Sequence, residues 1–282
     1  MGFDYGKIAK ESFAWYNNKE FWMWGIGFGI ISFVLSALYS ATIVGMQANL
    51  ALVLALVVEL LVMVVLGAFF SAKLISFALK KREITSNAID IGSIVKFIGV
   101  SIAQFIYCIL SLKRPKLIIV TGVPFVLWIV LMGAMVVAPS AFDSGTAIGI
   151  IVPIAIMVLT IISVPVLMYY MIRFYVSTIF FWVKKNCSIR EAIDLSWDKT
   201  EGKVWGVLGA FLLIEVISIT IGLAGGLLSL IPLVGIAVGI VLYPAVTGIS
   251  VYGLVEIYSQ LTGAEKKEET PAKKKANPKK KP

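Results

Sequence analysis

Histidine is absent and only two cysteines, Cys108 and Cys187, occur among the 282 residues. Without histidine the chain lacks the usual proton shuttle and the commonest metal ligand. That weighs against a hydrolase or a metal-dependent enzyme, and no cofactor is expected. Both thiols fall on segments expected at the cytoplasmic side, where they stay reduced, which argues against a disulfide framework. Charge is also scarce: 15% of residues are charged, 59% are hydrophobic and the mean hydropathy is +0.95. That much apolar surface exceeds what a compact domain can bury, so bilayer lipid must be the solvent. No cleavable signal peptide is expected, because the first apolar run, Phe21 to Ala41, is longer than a signal h-region.

What the chain does have is a series of runs near or beyond the roughly 20 apolar residues that cross a hydrocarbon core. They extend from Phe21 to about Ile43, Leu50 to Leu79, Leu117 to Ala138, Ile148 to about Trp182, Val204 to about Leu227 and Leu233 to Leu261. A seventh run, Phe97 to Leu112, is shorter and is interrupted by Ser101 and Gln104. Charge decides how to read it, because cytoplasmic loops collect the excess Lys and Arg. If it lies on the surface, all 25 basic residues fall at or near one membrane face. If it spans, the 8 from Lys7 to Lys96 separate from the other 17. The expected fold class is therefore an all-α polytopic membrane protein with six transmembrane helices plus interfacial amphipathic helices. It is expected in the cell membrane with both termini cytoplasmic. Residues 1–263 form the membrane domain. Residues 264–282, KKEETPAKKKANPKKKP and its lead-in, have no apolar periodicity and read as a disordered basic tail. Tethered beside a bilayer, the tail meets anionic membrane lipid first; an acidic protein partner is the other reading, and nucleic acid is not an expected partner.

Three stretches share an order of elements. IAKESFAWYNNKEFW from Ile8, IAQFIYCILSLKRPKL from Ile102 and IREAIDLSWDKTEGKVW from Ile189 each give an amphipathic helix, a polar elbow and a long apolar run. The chain divides into units of about 1–84, 85–186 and 187–263, which would be parallel repeats related by an axis along the membrane normal. True repetition and chance similarity between amphipathic helices both remain open at this level. In the third unit Ser188 and Glu191 have capping-box spacing, and Asp194 and Trp197 fall on opposite faces of the following helix. The charged face of this elbow reads mainly as solvated.

The polar residues within the spans are the candidate sites. Glu59 and Glu215 sit near the middle of their runs, where a carboxylate costs about 2.5–3.5 kcal/mol on insertion scales, so each should face the protein interior or a polar cavity. One reading is a proton or cation conduit. The other is a hydrogen-bonded carboxyl that joins helices, with Ser218 or Thr220 as partners for Glu215. Lys73, Arg173 and Glu256 fall at comparable depth near the inner boundary. They read either as residues snorkelling to lipid phosphates or as an inner charge cluster in which Glu256 pairs with Arg173 or Lys73. Gly25 and Gly29, and again Gly235 and Gly239, have GxxxG spacing, with packing inside the chain as the default reading. Trp15, Trp22, Trp24, Trp182, Trp197 and Trp205 are expected in an aromatic belt.

The stretch RFYVSTIFFWVKKNCSIREAIDLSWDKTEGKVWGVLGAFLL, together with LIPLVGIAVGIVLYPAVTGISVYGLVEIYSQL, resembles the six-span membrane domain of glycerophosphoryl diester phosphodiesterases and related membrane proteins. The resemblance implies a helical membrane domain with an EAI-x-x-S interfacial helix before the fifth span, here Glu191, Ala192, Ile193 and Ser196. In the fused members catalysis belongs to a separate soluble barrel, and this chain has no room for one. No phosphodiesterase activity is therefore carried over. The first functional expectation is a non-enzymatic membrane protein that organises lipid or a partner at the cytoplasmic face. The second is a small-solute or ion transporter using Glu59 and Glu215.

Overall fold

A computed structural model describes residues 2–44, 50–137 and 147–263, and the basic tail and two of the interhelical loops lie outside these described residues. All regular structure among them is helical. In chain order the helices are α1 (Tyr5–Ser12), α2 (Lys19–Val44), α3 (Leu50–Lys81), α4 (Ile91–Ile109), α5 (Ile118–Val137), α6 (Ala147–Phe174), α7 (Ser177–Val183), α8 (Ile189–Lys199), α9 (Val204–Leu228) and α10 (Pro232–Thr262). Six of them, α2, α3, α4, α6 with α7, α9 and α10, contain described stretches long and apolar enough to cross a membrane. The protein is an all-α polytopic membrane protein. In α5 the apolar stretch Pro115–Val130 is shorter.

The long helices pair as hairpins, α2 with α3, α5 with α6 and α9 with α10, and α10 packs in turn on α2 and α3. Proline marks two of these contacts. Pro124 has no amide for the Val120 carbonyl, and the Ser163 hydroxyl of α6 donates to that oxygen at 2.7 Å instead. Pro244 likewise leaves the Ile240 carbonyl without its helical donor. Gly29 of α2 brings its backbone against this carbonyl, so that a Cβ there would collide with the Ile240 oxygen. A Cβ at Gly25 would stand 2.9 Å from the Pro244 ring. The Gly25–Gly29 pair therefore serves packing within the chain. Gly239 has only ordinary contact with Phe33.

The short helices follow their caps. Asp4 accepts from the Lys7 amide and starts α1, which packs on α9 and α10. Asp90 accepts from the Ser93 amide, which holds its carboxyl below the ordinary carboxylate range, and starts α4 six residues before the apolar run expected from Phe97. Ser188 and Glu191 form the reciprocal capping box at the start of α8. The run from Ile148 to Trp182 is not one helix: it breaks after Phe174, with no proline or glycine at the break. Tyr16 lies past the end of α1 at Ser12 and is exposed. Among the belt tryptophans, Trp205 is 82% exposed, whereas Trp182 at 1% and Trp15 at 6% belong to the core.

Candidate functional site

The break between α6 and α7 organises the most polar part of the interior. A helix that ends inside a protein leaves carbonyls that need donors. Gln104 Nε2 of α4 donates to the Phe174 carbonyl at 2.8 Å and also bonds the Ser177 hydroxyl. From α8, Ser196 Oγ donates to the Arg173 carbonyl at 2.8 Å and Thr200 Oγ1 to the same oxygen at 3.3 Å. Side chains of α4 and α8 thus replace the missing turn.

Arg173, 3% exposed, hangs from this break. Its Nη2 donates to the Trp197 carbonyl at 2.6 Å and its Nη1 to the Tyr169 hydroxyl at 3.2 Å. The guanidinium lies 4.0 Å from the centroid of the Trp197 ring, which tilts against Tyr170 and Phe174. The Nε of Arg173 is buried without a hydrogen-bond partner among the described residues. Arg114 lies over the ring of the same Tyr169, at 5.7 Å. The two guanidinium groups border a cavity of about 530 Å³ between α6 and α9, whose walls include Tyr169, Glu201, Trp205 and Leu208. A second, largely apolar cavity of about 600 Å³ lies beside Gln104, Phe105, Phe125 and Phe211. Met168 and Ile172 belong to the walls of both.

The structure does not bring Lys73, Arg173 and Glu256 together. Lys73 sits over Trp24 and Phe69, at 5.2 and 5.6 Å from the ring centroids. Glu256, 0% exposed, pairs with Arg82 and with Lys7 at 3.8 Å, and its Oε1 accepts from Gln260 at 2.8 Å. A second carboxylate, Glu11, bridges Arg82 and Lys81 at 3.4 and 3.5 Å. Arg173 and Glu256 are thus held by protein groups rather than by reaching out to the lipid surface. Equal depth on separate helices says nothing about azimuth, and these three residues face different neighbours.

The elbow residues are used within the fold more than a solvated face would be. Glu191 pairs with Lys184, and that contact, with the Ser188 amide second, holds its carboxyl below the ordinary range. Asp194 pairs with Lys113 from the loop after α4, and with Arg190 at 3.7 Å. Of the mid-span carboxylates, Glu59 has Oε2 buried with no partner. Glu215 has neither Ser218 nor Thr220 as partner: Thr220 donates to the Val216 carbonyl, and Ser218 Oγ is unpartnered. Neither carboxylate lines the two cavities above.

Arg82, Lys7, Gln104 and Arg114 carry no signal in spacing, since each acts across a gap of many residues; Tyr169 stands one turn before Arg173 on the same helix. A second local hint is Ser196 and Thr200, one turn apart on the apolar side of an amphipathic helix. Among the described residues no three His, Cys, Asp or Glu side chains converge as metal ligands would. No known protein family, curated protein or solved structure matches the chain.

Proposed function

We propose that this multi-pass membrane protein is a non-enzymatic interaction module that organises anionic lipid or a protein partner at the cytoplasmic face of the cell membrane. The observation that carries this reading is the concentration of fixed charge at one end of the molecule. The pairs Glu256–Arg82, Glu11–Lys81, Asp194–Lys113 and Glu191–Lys184 tie α1, α8 and the loops around α4 to the helix ends beneath them. Lys10, Lys19, Lys80 and Lys81 stand around a broad surface recess at the same end, with Glu11 and Glu20 the carboxylates beside them. Basic surplus beside a bilayer favours anionic headgroups.

Both ends of α4 support its placement along this face. Asn87 just before it donates to the Phe181 and Lys184 carbonyls, and Lys113 just after it pairs with α8. With α4 on the face, α2, α3, α5, α6, α9 and α10 are the spans, and both termini are cytoplasmic. Each of α1, α4 and α8 then leads one hairpin of spans, which is the arrangement of three parallel repeats. Recovery from native membranes, with mass spectrometry of the lipids and proteins that come along, tests the reading. Enrichment of anionic lipid or of one stoichiometric partner supports it. Recovery with bulk lipid composition and no partner counts against it.

The transport reading draws on the unpartnered Glu59 Oε2. Its test is ion and proton flux in liposomes, where Glu59→Gln combined with Glu215→Gln abolishes any flux that these carboxylates carry. Unchanged flux removes the conduit.

A further inference from the structure

Resting on the lipid half of that reading, we propose that the cavity between α6 and α9 is a headgroup site for one anionic phospholipid. In this site Arg114 and Arg173 hold the phosphate, and an acyl chain lies along Pro165, Met168 and Leu208. The cavity has the two chemistries that a phospholipid carries. Two arginines, Arg114 and Arg173, line the same space, both beside the Tyr169 ring. Guanidinium is the cation that matches phosphate oxygens with parallel donors. Arg173 is fixed by Trp197 and Tyr169 through its two terminal nitrogens, and its Nε–H is a buried donor with no acceptor among the described residues. Leaving such a donor unmatched is costly, which favours a small turn of the guanidinium toward an acceptor held in the cavity that Arg173 lines. Apart from Glu201 and Tyr169 the rest of the wall is apolar, and it includes Trp205, 82% exposed at the start of α9. An indole in that position suits the headgroup level of a bilayer.

Glu201 is the one carboxylate in the wall, which leaves a net surplus of one positive charge across the three charged side chains. That balance fits a singly charged phosphodiester better than a doubly charged phosphomonoester, and gives a hydroxyl-bearing headgroup an acceptor. The apolar wall excludes a small hydrophilic anion as the preferred ligand. Met168 and Ile172 separate this site from the larger apolar cavity.

The test uses the full chain in phosphatidylcholine nanodiscs, with native mass spectrometry after addition of dioleoylphosphatidylglycerol or inorganic phosphate. Wild type is expected to retain one phosphatidylglycerol, and millimolar inorganic phosphate is expected not to displace it. Arg114→Gln, at an exposed residue, should lower retention about tenfold, the loss of roughly one charge-assisted contact, and Leu208→Trp, which fills the cavity, should lower it by at least as much through exclusion of the acyl chain. Lys116→Gln removes a nearby exposed charge outside the cavity and should retain the lipid as wild type does. Unfolding midpoints confirm that each variant is folded. Retention equal to wild type in both Arg114→Gln and Leu208→Trp overturns the site. Displacement by inorganic phosphate also overturns it, in favour of a free-anion site. If phosphatidylglycerol is retained but depends only on residues 264–282, the site is wrong and the lipid reading stands. If wild type shows no preference for phosphatidylglycerol, both fall.

Discussion

The buried charge of Glu256 is matched by particular residues, and those matches carry a large energetic risk. Glu256 has no exposed surface and depends on Arg82 and Lys7. Breaking a buried pair costs about 3–5 kcal/mol because the surviving charge is left uncompensated. Glu256→Gln is therefore expected to destabilise the protein by about 3 kcal/mol. Arg82→Gln added to it should cost much less than it does in the wild-type background, as read by unfolding midpoints in detergent. Additive losses would show that the two residues do not act as a pair. Glu191 offers the pH counterpart. Its folded pKa lies below the ordinary 4.5, so its contribution is present above that value and is lost as pH falls through the lower folded one. Amide exchange across residues 189–193, corrected for intrinsic rates, should be slow at about pH 6 and faster at about pH 3, as the Lys184 and Ser188 contacts are released. Equal protection at both values would dismiss the carboxylate as the pin of that cap.

Among the elements, the long helices were largely legible in the sequence because hydrophobic length is a local property. The α2, α3, α9 and α10 boundaries fall within a few residues of those expected. The start of α4, which lies ahead of the apolar run from Phe97, was illegible because the polar stretch ITSNAIDIGS carries no hydrophobic periodicity, and only Asp90 and its bond to the Ser93 amide mark the helix start. The break after Phe174 was illegible for a different reason: nothing in RFYVS breaks a helix, and the donors that stabilise the break come from Gln104, Ser196 and Thr200, on other elements. The candidate site was hardly legible, since its parts meet only through this break. Close packing of α2 on α10 gives a test at the same scale. Gly29→Ala should lower stability by about 1–3 kcal/mol, because its methyl group meets the Ile240 carbonyl, whereas Gly239→Ala should be near neutral. Equal effects would place the close approach elsewhere.

For the whole molecule, the question is which side each loop occupies, and α4 decides it. In a background with Cys108 and Cys187 replaced, single cysteines at the exposed positions Glu83 and Lys116 flank α4. Both should react with an impermeant maleimide from the cytoplasmic side only, whereas reaction from opposite sides would make α4 a span and move the C-terminal half across the membrane. The same geometry bears on assembly in time. Asp4 donates its amide to Gln260 Oε1 at 2.9 Å, and Gln260 Nε2 returns a bond to the Asp4 carbonyl at 3.3 Å, across 256 residues of chain. At roughly 5–20 residues per second of synthesis, the first helix is made about 10–50 s before its partner. Throughout that interval α1 lacks its seat on α10, and the arrival of α10 completes the contact between the two ends of the membrane domain.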